Sequence, residues 1–161
     1  METWEKMQIA ADVEGWEYVI TKSYPLTHME GLVQAASQFN GIAVEDLKEQ
    51  FGEYLVPDLF MLYKNYIRPE WRTMDIIEHT EKVMHGAVRA LNSTANPPVL
   101  FVTKVNPQLL IIDYYSRRRM GSLAIGIIRG IAVYYGESQN ISVISMSEPA
   151  DERVQIRVEY T

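Results

Sequence analysis

Apolar residues are spaced in two ways along this chain. Over residues 2–91 they recur every three or four positions, the spacing of helices that each bury one stripe. Beyond Val99, short runs rich in β-branched residues alternate with polar ones, as strands do. The first part predicts a short helix from Glu2 to about Ala11, with Trp4, Met7 and Ala11 on one side, and an irregular segment from Gly15 to Pro25. Thr27 and Glu30 have capping-box spacing ahead of a helix through Leu32, Val33, Ala35 and Ala36, and Asn40-Gly41 ends it. Val44 to Tyr54 predicts an amphipathic helix with Leu47, Phe51 and Leu55 on one side. Pro57 is expected to break or kink it before a short piece from Asp58 to Ile67.

A long helix is predicted from about Thr73 to Leu91, on the spacing of Ile76, Ile77, Val83, Met84, Ala87, Val88 and Leu91. Val99–Val105, the turn Asn106-Pro107-Gln108 and Leu109–Ser116 predict a hairpin. Gly121 to Tyr135 reads as a strongly apolar helix, and Asn140–Ser145 and Val154–Tyr160 as strands. The expected architecture is α+β: one domain over residues 1–161, a helical lobe at 1–67, and a lobe at 68–161 holding a long helix and a four-stranded antiparallel sheet.

Composition narrows the function. An apolar content of 47% with 22% charged residues is ordinary for a globular chain. The net charge of −6 argues against nucleic-acid binding and against docking on an anionic membrane. No apolar run reaches membrane-spanning length, and Met1-Glu2-Thr3-Trp4-Glu5-Lys6 has no signal-peptide character, so a cytoplasmic location is expected. With no cysteine, iron–sulfur clusters, thiolate metal sites and cysteine nucleophiles are excluded. The acidic residues are scattered over helix faces, and neither a Ser/His/Asp set nor a glycine-rich phosphate loop is apparent. An enzyme is therefore not predicted.

The candidate chemistry lies at two places. Tyr114, Ser116 and Arg118, read as a strand end, share one face and offer two hydroxyls and a guanidinium fork, a set of donors suited to carboxylates. On the long helix, His79 and His85 lie about 240° apart and cannot bind one metal as a helical pair. His28, in a first helical turn, is expected to face water. His85 is flanked by Met84, Gly86, Ala87 and Val88, which leave room for something flat. An axial imidazole, an apolar slot near Pro97-Pro98 and a carboxylate-binding row are the three parts a haem needs.

At these residues the chain resembles the H-NOX family, the haem–nitric oxide/oxygen-binding domains that include the sensor domain of soluble guanylate cyclase. The family's tyrosine-x-serine-x-arginine signature corresponds to Tyr114-Tyr115-Ser116-Arg117-Arg118, and its proximal histidine to His85. Its haem-distorting proline corresponds to Pro98. Thr3-Trp4-Glu5-Lys6, Phe51-Gly52-Glu53-Tyr54, Gly126-Ile127-Ile128-Arg129-Gly130 and Val158-Glu159-Tyr160 also match in order. The resemblance implies haem b (iron protoporphyrin IX) ligated by His85, with Tyr114, Ser116 and Arg118 on the propionates. Leu55 and Leu123 correspond to positions lining the distal pocket, and the resemblance makes residues 1–67 the distal lobe and 68–161 the proximal lobe. With neither a Tyr, a His nor a Gln at those two positions, nitric oxide and carbon monoxide are the expected ligands. Only a donor such as Tyr63 or Tyr66 reaching the iron is expected to hold dioxygen.

The resemblance also implies signalling to a separate histidine kinase or cyclic-dinucleotide enzyme. Similar proteins carry a helix ahead of the Thr-Trp-Glu-Lys segment. A shortened form is expected here, with apolar stripes (Leu32, Val33 and Ala36; Leu47, Phe51 and Leu55) that a homodimer would cover. Two other readings remain open on the same fold: a haem-free interaction module, and a binding domain for a different carboxylated apolar ligand.

Overall fold

A computed structural model describes residues 3–19, 22–92 and 94–161. The chain divides into two compact units, residues 1–47 and 48–161.

In the first unit, α1 (Thr3–Ala10) is followed by an irregular stretch and α2 (Leu26–Asn40). Gln8 is buried, and its amide donates to the Trp16 carbonyl at 2.8 Å, which holds the chain as it leaves α1. No side chain caps α2. It starts one residue before Thr27, behind Pro25 at φ −56°, so the ring that fixes φ takes the place of the expected capping box. Gly41, at φ 67°, ends α2 in the left-handed conformation, and its N–H donates to the Ser37 carbonyl. The irregular segment is packed through aromatic edges. Trp16 and His28 lie 4.5 Å apart edge-on, and the Tyr18 hydroxyl is 3.2 Å from His28 Nδ1. His28 thus sits among rings instead of facing water. Residues 20 and 21 of the predicted irregular segment, and Ser93 of the predicted helix stop, lie outside the described residues.

Helix α3 runs from Val44 to Tyr63, through Pro57 without a break, and ends in a 3₁₀ turn at Lys64–Tyr66. The predicted interruption is overridden by packing: Val56, the residue before the proline, is fully buried in the core of the second unit. That core joins Val56, Trp71, Ile76, Met84 and Ile131, with Phe60, Ile67, Val83 and Ile127 packed around it. The predicted helix at 73–91 forms as three parts: α4 (Thr73–His79), a π-helical segment at Thr80–His85, and α5 (Gly86–Leu91).

The sheet is four-stranded and antiparallel, in the order β1-β2-β4-β3, with β1 at Val99–Asn106, β2 at Leu109–Tyr115, β3 at Ile141–Ser145 and β4 at Arg153–Tyr160. Its buried face carries Leu110, Ile112, Tyr114, Val143, Val154, Ile156 and Val158. The period of two is visible at Asp113, exposed between buried Ile112 and Tyr114. Helix α6 (Gly121–Tyr134) packs directly on α3. A Cβ on Gly52 would overlap the Leu123 carbonyl and come within 2.8 Å of the Ile127 nitrogen, and one on Gly130 would lie 2.9 Å from the Glu53 Cα. Glycine is required at this crossing because the two backbones touch. Among the described residues, no helix is long and apolar enough to cross a membrane.

Candidate functional site

His85 closes the π-helical segment. There the Gly86 N–H bonds back five residues to the Glu81 carbonyl, a local widening often found at functional sites. The imidazole is 16% exposed, and its Nδ1 lies 3.0 Å from Glu81 Oε2. The same carboxylate accepts the Leu100 N–H on Oε2 at 3.0 Å and Arg89 Nη2 on Oε1 at 2.7 Å. Partial burial pushes the Glu81 carboxyl upward, but the bonds from His85, Leu100 and Arg89 outweigh it and hold the group below the ordinary carboxylate range. An ionised carboxylate only accepts, so His85 Nδ1 is the donor, and in the neutral imidazole it is Nε2 that carries the lone pair a metal needs.

The other helix histidine is built differently. His79 Nδ1 is 2.8 Å from the Asp75 carbonyl, and its ring stacks on Trp71 at 4.4 Å, a structural role. Among the described residues, no group of three or more His, Cys, Asp or Glu side chains is arranged to hold a metal ion.

The carboxylate-binding row takes a shape the strand reading did not give. Strand β2 stops at Tyr115, so Ser116 and Arg118 lie in the turn beyond it, where Arg119 adopts φ 52°. Tyr114 and Ser116 are buried, and the Arg118 N–H donates to Ser116 Oγ at 3.2 Å. Burial raises the Tyr114 phenol above its ordinary value; the Ser116 hydrogen bond and the Arg118 charge oppose the shift without cancelling it. The Arg118 guanidinium is exposed and donates to the Asn96 carbonyl.

One short stretch therefore reaches both halves of the candidate site. Asn96 holds Arg118, and Leu100, four residues on, holds Glu81 and through it His85. Pro98 lies midway and is half-buried. Leu55 and Leu123, also half-buried, belong to the helices that meet at Gly52. Tyr63 packs on the core and Tyr66 is exposed. An open groove of about 630 Å³ at Val99, Phe101, Asp113, Tyr114, Tyr115 and Arg153 takes in Tyr114 of the candidate row, but neither His85 nor Arg118 lines it.

Sequence comparison assigns the family. The family model described as Haem-NO-binding matches residues 1–143. The chain belongs to that family. Among solved structures, an H-NOX protein from S. oneidensis in the Fe(II)NO state is 19% identical with a TM-score of 0.87, covering 98% of this chain and 88% of that one. Unliganded Fe(II) H-NOX from K. algicida is 18% identical at a TM-score of 0.83, covering 98% and 86%. The S. oneidensis domain in the Fe(II)CO state is 20% identical at 0.78, covering 89% and 80%. At such identities these likenesses establish the fold. No curated protein sequence matches the chain.

H-NOX domains are haem-based gas sensors, and the residues of this H-NOX chain fit a haem. The His85 imidazole turns Nδ1 to a carboxylate, the exposed Arg118 guanidinium is able to meet a propionate, and Leu55 and Leu123 are half-buried at the expected distal positions. Sequence reasoning missed Glu81. Its spacing of four residues from His85 and eight from Arg89 was the available signal.

Proposed function

We propose that this protein is a gas sensor that binds nitric oxide at a ferrous haem b, with His85 Nε2 as the axial ligand. When bound, the haem supplies the iron that takes the gas; the chain's own residues position and shield it. Tyr114, Ser116 and Arg118 serve the propionates, Arg118 by a charge-assisted fork. Pro98 would press on the macrocycle, and Leu55 and Leu123 would keep the distal side apolar. Dioxygen on ferrous iron gains from a hydrogen-bond donor, whereas nitric oxide and carbon monoxide need one far less, so this pocket selects the latter two. The signal passes to a separate histidine kinase or cyclic-dinucleotide enzyme.

The observation that supports this reading most is the stretch Asn96–Leu100, whose backbone engages Arg118 at one end and the carboxylate bonded to His85 at the other. The purified protein is expected to show a Soret band, and the ferrous form to bind nitric oxide and carbon monoxide without a stable oxy complex in air. His85→Gly should be haem-poor and regain its spectrum with added imidazole, while His79→Gly loads normally. Equal haem loading in wild type and His85→Gly would overturn the assignment. A wild type without any Soret band would instead favour a haem-free interaction module.

A further inference from the structure

The carboxylate behind His85 is set up to do more than stabilise a helix. Glu81 belongs to the π-helical segment, and its Oε2 receives two N–H donors, one from His85 and one from Leu100 on β1. Strand β1 is the edge of the sheet, with β2 as its single neighbour. An edge strand leaves every second N–H unpaired within the sheet, and here one of them is used to hold a side chain on the facing helix. Arg89 fixes the second oxygen. The carboxylate plane is thus pinned from three directions, two on the helix and one on the strand. The His85 ring is then restrained in both tautomer and rotation, because turning it breaks the Nδ1 contact.

From this geometry we infer that Glu81 is a positioning residue for His85, holding its proton on Nδ1 and increasing the donor strength of Nε2 toward the haem iron. The inference rests on the sensor reading given above. An anionic acceptor on the far nitrogen of a metal-binding imidazole raises the basicity of the near one, and loss of such a partner commonly weakens the metal bond about 10- to 100-fold. A neutral acceptor in the same place keeps the orientation and loses the charge. The orientation of His85 is thereby tied to β1 through the shared Glu81 oxygen.

Two variants of the full-length protein separate these effects. Glu81→Gln retains an acceptor, and Glu81→Leu removes it. In resonance Raman spectra of the ferrous, haem-loaded protein, the iron–histidine stretch should fall from wild type to Glu81→Gln and again to Glu81→Leu. Haem release should quicken about tenfold in the leucine variant. In ¹⁵N NMR of the haem-free protein, His85 should carry its proton on Nδ1 in wild type and become a mixture of tautomers in Glu81→Leu. A role confined to helix stability would lower the melting temperature and leave the stretch and the tautomer unchanged. An unshifted stretch in Glu81→Gln that is still folded and haem-loaded overturns the inference, as does an Nε2-protonated His85 in wild type. A wild type that takes up no haem counts against the sensor reading, and the tautomer measurement still decides the part played by Glu81.

Discussion

Gly52→Ala tests the contact between the helices that carry Leu55 and Leu123. Two effects oppose each other. Alanine is favoured over glycine inside a helix by about 0.8–1 kcal/mol, and Gly52 lies well inside α3. Against this, the added methyl would strike the Leu123 carbonyl and lie 2.8 Å from the Ile127 nitrogen, both backbone atoms of α6. Backbone cannot turn aside as a side-chain end does, so the two helices must separate. Overpacking of a tight core costs about 1–3 kcal/mol, and contact with two backbone atoms places Gly52→Ala at the upper end. The net expectation is a loss of about 2 kcal/mol, or about 4–8 °C in Tm for a chain of this size.

Gly86→Ala is the control. Its methyl would meet only the Glu81 carbonyl, at 3.9 Å, so the helix preference should act alone and raise Tm by about 2–4 °C. Thermal melts followed by circular dichroism read both variants, and absorption spectra should show haem loading falling with Gly52→Ala, because the displaced carbonyl belongs to Leu123. If Gly52→Ala melts higher, as Gly86→Ala should, then the backbones of α3 and α6 do not touch as described and the reasoning is refuted.

Arg118→Ala removes a charge-assisted fork worth about 1.5–3 kcal/mol, so haem transfer to a scavenger protein should quicken about ten- to hundredfold; an unchanged rate means that Arg118 does not hold the propionates. Thr73 is fully buried, and its hydroxyl has no hydrogen-bond partner among the described residues, while its N–H is held by Glu137 at 3.1 Å. Thr73→Val should therefore stabilise the fold by about 1 kcal/mol, seen as about 2–4 °C in Tm, and a lower Tm would reveal a partner for that hydroxyl. The Tyr114 phenol, raised by burial, ionises later in the folded chain than in the unfolded one. The stability it contributes is complete below about pH 10 and is lost as pH rises through the folded-state value. Tyrosinate absorbance should lose a late step in Tyr114→Phe, and a difference spectrum titrating at the ordinary value would contradict this.

Much of the molecule was legible in the chain itself. Local periodicity marked the helices and all four strands, because one-sided burial imposes a period of 3.6 or 2 whatever the neighbouring elements are. The Gly41 exit was readable from one residue, since the left-handed conformation suits glycine by local sterics alone. His85, Pro98 and the Tyr114–Arg118 signature were recognisable as a pattern of residue types at fixed spacing. Tertiary structure decided what depends on partners distant in sequence. Helix α3 continues past Pro57 because burial of Val56 outweighs one missing backbone donor. The Thr27 capping box gives way to an entry fixed by Pro25. Ser116 and Arg118 leave the strand, and Arg118 finds Asn96, 22 residues away. Glu81 gains its place behind His85 only when Leu100 is brought against it, 19 residues on in sequence. A single chain shows which residues are able to form such a bond, but folding selects the pair that meets, because it sets the distance on which every hydrogen bond depends.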